Sequence, residues 1–301
     1  MKINVEKIDD FTGHRDCVYT LAKSANENEF FSAAGDGMVV RWNINKPDWG
    51  EPVAQVSNSI YSMCFDETRN QLWIGQNFEG IHIIDPIEKA KVGSIKLHSS
   101  NIFDIIIHKN NTFVAGGDGV ISIIDTEQFA FKKHIKASDK SVRCLAVNPL
   151  TNELAAGYSD NTIKIFDLDT FHLKKIIEGH TSSVFTLRYT PNFDKLISGG
   201  RDAKLKIWNV EEGYKQEQEI FAHLFSINDI KFSPDGKSFA TCSMDKSIKV
   251  WSVENFRLLK VIDKARHAGH GTSINKLLWL NFDNHLLSCS DDRTISVWKL
   301  L

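Results

Sequence analysis

Four stretches of this 301-residue chain carry a histidine, a hydroxyl residue and an aspartate in that order, the side-chain types of a nucleophilic hydrolase triad. They are His14, Ser32 and Asp36; His180, Ser198 and Asp202; His223, Thr241 and Asp245; and His270, Ser288 and Asp292. Each is closed by a tryptophan six residues after the aspartate, at Trp42, Trp208, Trp251 and Trp298. A hydrolase needs one such set with an exposed nucleophile, because the base must deprotonate a hydroxyl that the substrate can reach. A set that recurs, each time with a bulky indole, belongs to a structural unit. No catalytic residue is assigned, and the chain is expected not to be an enzyme.

Other candidate chemistry has simpler readings. Gly35-Asp-Gly37 and Gly116-Gly-Asp-Gly119 have the look of phosphate cradles, but neither opens a helix, and Gly236-Lys-Ser238 lacks the preceding glycine of a P-loop. They read as tight β-turns. His267 and His270 sit close together in Ala265-Arg-His-Ala-Gly-His-Gly271, yet a metal site would need two further ligands. No metal and no cofactor is expected. Lys132-Lys-His134 and Lys174-Lys175 read as the solvated, edge-protecting face of outer strands.

Composition sets the class. With 42% hydrophobic and 25% charged residues the chain can bury a sizeable core, and 36 Lys+Arg against 38 Asp+Glu leave a net charge of −2. No global field favours nucleic acid or an anionic membrane, so neither is expected as a partner. Five cysteines, at 17, 64, 144, 242 and 289, are an odd number, far apart and embedded in apolar runs. They read as reduced core thiols. The start, Met1-Lys-Ile-Asn-Val-Glu-Lys-Ile8, is charged where a signal peptide needs an apolar stretch, and no run is long enough for a membrane helix. A cytoplasmic protein is expected.

The elements that position the recurring residues follow from an internal repeat. Asp36 to Trp42, Asp118 to Ile124, Asp160 to Phe166, Asp202 to Trp208, Asp245 to Trp251 and Asp292 to Trp298 share one pattern, and Phe78 to Ile84 matches it without the aspartate. The ends at 42, 84, 124, 166, 208, 251 and 298 are spaced by 42, 40, 42, 42, 43 and 47 residues, the period of a propeller blade. Upstream of each end lie two further apolar runs separated by turn residues, such as Pro191-Asn-Phe-Asp194 and Ser233-Pro-Asp-Gly236. Each unit is therefore a small antiparallel sheet. Leu301 follows Trp298 too closely for another strand, while about residues 2–11 supply a spare one at the start. The spacing predicts that this N-terminal strand completes the seventh unit and removes an open edge.

These residues resemble the WD-repeat (WD40-type) seven-bladed β-propeller family, through Gly-His at 13/14, 179/180 and 269/270, Ala222-His223, and the aspartate and tryptophan positions above. The resemblance covers essentially the whole chain. It departs from the family pattern in that the ending is Trp-Asn, Trp-Ser or Trp-Lys, and the second and third units lack the tryptophan, which predicts less rigidly pinned blades there. It implies an all-β fold of four-stranded antiparallel blades, in one domain over residues 1–301. It also implies that the His, Ser or Thr, Asp and Trp sets form buried hydrogen-bond tetrads.

The resemblance further implies a partner surface at the narrow end of the ring, over the central channel, built from the third and fifth residues after the histidine position and the one before the aspartate. The fifth-after residues are Tyr19, Tyr61, Phe103, Arg143, Phe185, Asn228 and Asn275. The residue preceding each, from Val18 to Ile274, is apolar, so strand alternation turns the fifth-after residues away from that core. With Arg201, Met244 and Asp291 before the aspartates, they compose an expected exposed binding cluster. The expected function is a non-catalytic scaffold for a peptide or loop of a partner protein, free-standing or as a subunit of a multiprotein complex. The alternative is a methyl-lysine reader, with the aromatic rings and Asp291 as a cage. A propeller enzyme using the central channel is a third reading, disfavoured by the absence of a ring of inward acids.

Overall fold

The computed structural model describes residues 3–97 and 100–301, without the side chain of Asp48. The described residues form seven four-stranded antiparallel sheets. Six of them use consecutive strands, for example Val142–Asn148, Glu153–Tyr158, Ile163–Asp167 and Leu173–Ile177 in the fourth, or Val184–Tyr189, Lys195–Gly200, Lys204–Asn209 and Lys215–Phe221 in the fifth. The seventh differs as the sequence predicts. Its strands Ile274–Trp279, His285–Ser290 and Ile295–Leu300 come from the end of the chain, and the outer strand is Val5–Phe11. The register pairs Val5 with Leu300 and Phe11 with Ile295, so backbone groups at the last strand's edge are satisfied by the start of the chain. Residue 2, where this strand was expected to begin, lies outside the described residues.

Middle strands are buried on both faces, which explains why they read as near-continuous apolar runs rather than alternating ones. Glu153–Tyr158 is buried at every position, and Phe30 to Ala34 likewise. Outer strands carry the polarity, as in Lys-Gln-Glu-Gln-Glu of Lys215–Phe221, exposed over five successive residues.

The chain divides into two compact units. One comprises residues up to Gln76, His82–Gly93 and Asp229–Leu301, and the other Asn77–Ile81 and Ser94–Asn228. In the first, Phe11 meets Phe30 and Trp42 edge-on at 5.3 and 5.5 Å inside a cluster with Val18, Leu278 and Leu287. In the second, Leu187, Leu196 and Trp208 pack with Tyr189 and Tyr214, and Phe113, Leu145 and Phe166 form a separate cluster.

Candidate functional site

The triad-like sets come first because their geometry decides between chemistry and structure. In the first blade Trp42 Nε1 donates to Ser32 Oγ at 2.7 Å, Ser32 Oγ lies 2.7 Å from His14 Nε2, and His14 Nδ1 lies 3.2 Å from Asp36 Oδ2. Burial pulls the His14 pKa down against the pull of Asp36, so the ring is neutral at neutral pH. A neutral ring that donates from Nδ1 to Asp36 must accept at Nε2, so the chain runs Trp42, Ser32, His14, Asp36. The fifth blade repeats it through Trp208, Ser198, His180 and Asp202 at 2.8, 2.7 and 2.8 Å, and the seventh through Trp298, Ser288, His270 and Asp292 at 2.9, 2.9 and 3.0 Å. In the sixth, Trp251 Nε1 donates to Thr241 Oγ1 at 3.0 Å. Ser32, Ser198, Thr241 and Ser288 are wholly buried. A nucleophile needs access and these have none, whereas a buried hydroxyl needs partners and these have them. His270, the one histidine of its loop that sits in a tetrad, has both ring nitrogens engaged by Ser288 and Asp292.

The second and third blades, which lack the closing tryptophan, hold other polar pairs. His82 Nε2 meets Gln76 Oε1 at 2.7 Å in the second, and Ser122 Oγ meets His134 Nδ1 at 2.9 Å in the third.

The candidate partner positions are set by a backbone feature. In the first strand of the first blade Val18 pairs with Ala34 but Thr20 with Ala33, so Tyr19 is an extra residue opposite no partner. The same bulge isolates Tyr61, Phe103, Arg143, Phe185 and Asn275. A bulge re-aims the side chain of its extra residue. Val18, Ile60, Ile102, Val142, Val184 and Ile274, one residue earlier, are buried. Beside five of these six bulges the strand is tied to the turn before the aspartate. The amides of Gly35, Gly117, Ser159, Arg201 and Asp291 donate to the carbonyls of Cys17, Asn101, Ser141, Ser183 and Ser273 at 2.8–3.1 Å. Third-after, fifth-after and pre-aspartate residues therefore share one end of each of these blades.

The structure corrects the picture of a freely exposed aromatic cluster. Tyr19, Tyr61, Phe103, Arg143, Phe185, Asn228 and Asn275 are all half-buried. In the first unit Tyr19 and Tyr61 meet edge-on at 4.7 Å, and Asn275 Nδ2 donates to Asp291 Oδ1 at 2.8 Å and to the Val18 carbonyl at 2.9 Å. Burial first, then the neighbouring Cys17 and Tyr61, raises the Tyr19 pKa, so its phenol stays protonated. In the second unit the Arg143 guanidinium carbon lies 3.7 Å from the Phe103 ring centre and 4.7 Å from that of Phe185. These two rings are already engaged by a cation of the protein itself. Arg201 is exposed, as is Met244 at 55%.

The sequence reading missed Phe221, Leu224 and Phe225, exposed at 77, 84 and 58%. A signal was present: His223 is followed by Leu-Phe, where His14, His180 and His270 are followed by Arg-Asp, Thr-Ser and Gly-Thr.

Comparison with known proteins agrees with this geometry. The family model for the WD domain, G-beta repeat, matches residues 5–43, 89–125, 127–167, 171–209, 214–252 and 263–299. The chain belongs to the WD40 repeat family. The stretch left unmatched, 44–88, contains most of the second blade, where tryptophan and the aspartate are both replaced. Among solved structures, the WD40 β-propeller domain of Doa1 is similar over 98% of this chain and 97% of that one, with a TM-score of 0.86 and 19% sequence identity. At that identity the likeness speaks for the fold, and the fold is a seven-bladed WD40 propeller. No curated protein matches the sequence. WD40 propellers are in general scaffolds for protein interaction.

Proposed function

We propose that this WD40 protein is a non-catalytic interaction scaffold that holds a peptide or loop of a partner protein on the bulged residues of its first strands. The observation that supports this reading most is the repetition of the bulge. Six inner strands interrupt their pairing at the same place, each time at a large or amide side chain that is half-exposed, and in five of them the adjoining turn is fixed by a backbone hydrogen bond. A rigid backbone that presents aromatic and arginine side chains loses little entropy on binding. The buried tetrad hydroxyls speak against hydrolysis, and the five free cysteines fit a reducing, cytoplasmic setting.

The test is affinity purification with quantitative mass spectrometry, wild type against the double variant Tyr61→Ala, Phe103→Ala. Expected is the loss of specific partners with a melting temperature lower by only about 2–6 °C, since each ring is half-exposed. Unchanged partner recovery, or no specific partner for the wild type, would sink the reading.

A further inference from the structure

One part of the fifth blade leaves large apolar side chains in water. Its outer strand, Lys215–Phe221, ends on the exposed Phe221, and the linker that follows carries the exposed Leu224 and Phe225. Adjoining apolar side chains left open to solvent mark a place where something docks. The segment is also fixed in position. The Ala203 carbonyl accepts the amides of both Ala222 and His223, at 3.1 and 3.2 Å, which fastens the linker to the turn at residues 200–203. Strand register sets Phe221 opposite Lys204, whose ammonium lies 4.5 Å from the centre of the ring.

The same turn sets the sign of the ligand. Arg201 stands on it, exposed, and its guanidinium has no hydrogen-bond or ion-pair partner among the described residues. Two acids of this blade are occupied elsewhere. The Asp202 side chain is 4% exposed and turned inward, to His180 Nδ1 at 2.8 Å and the Thr181 amide at 3.1 Å, and Glu219 is shared by Lys204 and Lys206. Glu178, exposed beyond the end of the preceding blade's outer strand, forms no ion pair among the described residues. The Arg201 amide donates to the Ser183 carbonyl at 2.9 Å, so the turn adjoins the bulge that presents Phe185. Open apolar surface and an unanswered positive charge thus lie side by side, next to the bulged residues.

Resting on the scaffold reading above, we propose that Arg201, Phe221 and Leu224 bind a segment of the partner protein in which an aspartate or glutamate lies within a few residues of a large apolar side chain. The carboxylate matches the planar donor fork of Arg201 in shape and charge. The apolar side chain covers Leu224 and the open side of Phe221, and the water it displaces no longer screens the ion pair beside it. A flat anionic membrane fits less well, because on reaching Phe221 it would also bring its headgroups toward Glu219, two residues earlier on the strand. A single peptide carboxylate at Arg201 meets no such opposition.

The experiment selects short random-sequence displayed peptides on the purified full chain and measures the binders by fluorescence anisotropy. Expected is a shared acid with a large apolar residue a few positions away. Changing that acid to its amide should weaken binding to wild type roughly 10- to 100-fold, the worth of a charge-assisted hydrogen bond, and binding to Arg201→Gln less than about twofold. Leu224→Ser should weaken binding roughly 10-fold, the worth of covering one aliphatic side chain. Both positions are exposed, so both variants should melt within about 2 °C of wild type. In Arg201→Glu a peptide carrying lysine in place of the acid should bind better than the original peptide, and failure of that exchange overturns the ion pair. Peptides without a shared acid, or an acid-to-amide penalty equal in wild type and Arg201→Gln, also overturn the assignment; if Tyr61→Ala, Phe103→Ala still abolishes their binding, the scaffold reading stands without it. Recovery of no peptide removes both readings, and Arg201-dependent sedimentation with phosphatidylserine vesicles would then give the surface to lipid.

Discussion

The fourth and fifth blades are neighbours in one unit and share a turn aspartate and the register of their two middle strands, yet they hold their interiors by different chemistry. In the fifth, Ser198 joins Trp208 to His180, and Asp202 completes the set. In the fourth, Ala156, Ser138 and Phe166 occupy the equivalent places, and Asp160 is held instead by Lys164, whose ammonium also reaches Thr162 at 2.6 Å and lies 4.1 Å from the Tyr158 ring centre. Lys206 is the fifth-blade counterpart of Lys164, and it turns the other way, to Gln216 and Glu219 of the outer strand. The cause is legible in the outer strands. Lys215–Phe221 offers two glutamates and Leu173–Ile177 offers none, so the fourth-blade lysine turns back to the one acid at hand. A blade thus needs its turn aspartate anchored, and histidine or lysine can do it.

The largest break in this comparison is Ser198→Ala. It leaves the buried Trp208 indole N–H and His180 Nε2 without their shared partner, and each orphaned group costs about 1–3 kcal/mol. A loss of about 2–4 kcal/mol is expected in urea denaturation; a loss below about 1 would mean that the tetrad is not what holds the blade.

Next in size is Lys164→Met. Lys164 is 3% exposed, so the substitution removes the charge partner of Asp160 from a largely buried site, and about 1–3 kcal/mol should be lost. Lys206→Met should cost less than about 1 kcal/mol, because its acid partner is more exposed and already shared with Lys204. Equal costs would show that the two lysines play one role.

Acid sharpens the contrast less. Burial works to raise the pKa of both aspartates and is outweighed, at Asp202 by His180 and the Thr181 and Lys204 amides, at Asp160 by Lys164 and Thr162, so both lie below the usual carboxylate range. A carboxylate whose folded pKa is lowered stabilises fully above its unfolded value, about 4, and that contribution fades as pH falls through the lower folded value. Melting temperature should therefore drop below about pH 4, and less steeply in Asp202→Asn and Asp160→Asn than in wild type. Parallel slopes would remove these groups from the acid response.

How much of this could be read from the sequence depends on whether a feature resides in residue identity or in backbone register. The tetrads, the seven sheets and the completion of the last blade by Val5–Phe11 were legible because identical side chains return at a fixed period. The bulge was not, since Val18-Tyr-Thr20 reads as plain alternation whether or not an extra residue is present. Alternation picked out the bulged residues but overstated their exposure, because it does not say that Tyr19 turns onto Tyr61. The stack on Arg143 was half legible. Phe103, Arg143 and Phe185 occupy one repeat position in successive units, but where a long side chain points is decided by its neighbours.

The smallest effect tests whether the fourth blade can be converted to the chemistry of the fifth. The register permits it: Ala156 faces Lys164 as Ser198 faces Lys206, and Phe166 stands two residues on, as Trp208 does. Ala156→Ser alone buries a hydroxyl with no indole to satisfy, and Phe166→Trp alone buries an N–H with no hydroxyl. Together they can form the Trp-to-Ser bond of the fifth blade, though without a histidine, since Ser138 stands in its place. A double-mutant cycle in urea should then show a favourable coupling of about 0.5–1.5 kcal/mol, one net hydrogen bond, even if both single variants lose stability. Zero coupling would mean that the histidine positions the serine, and that the tetrad cannot be assembled from its outer half.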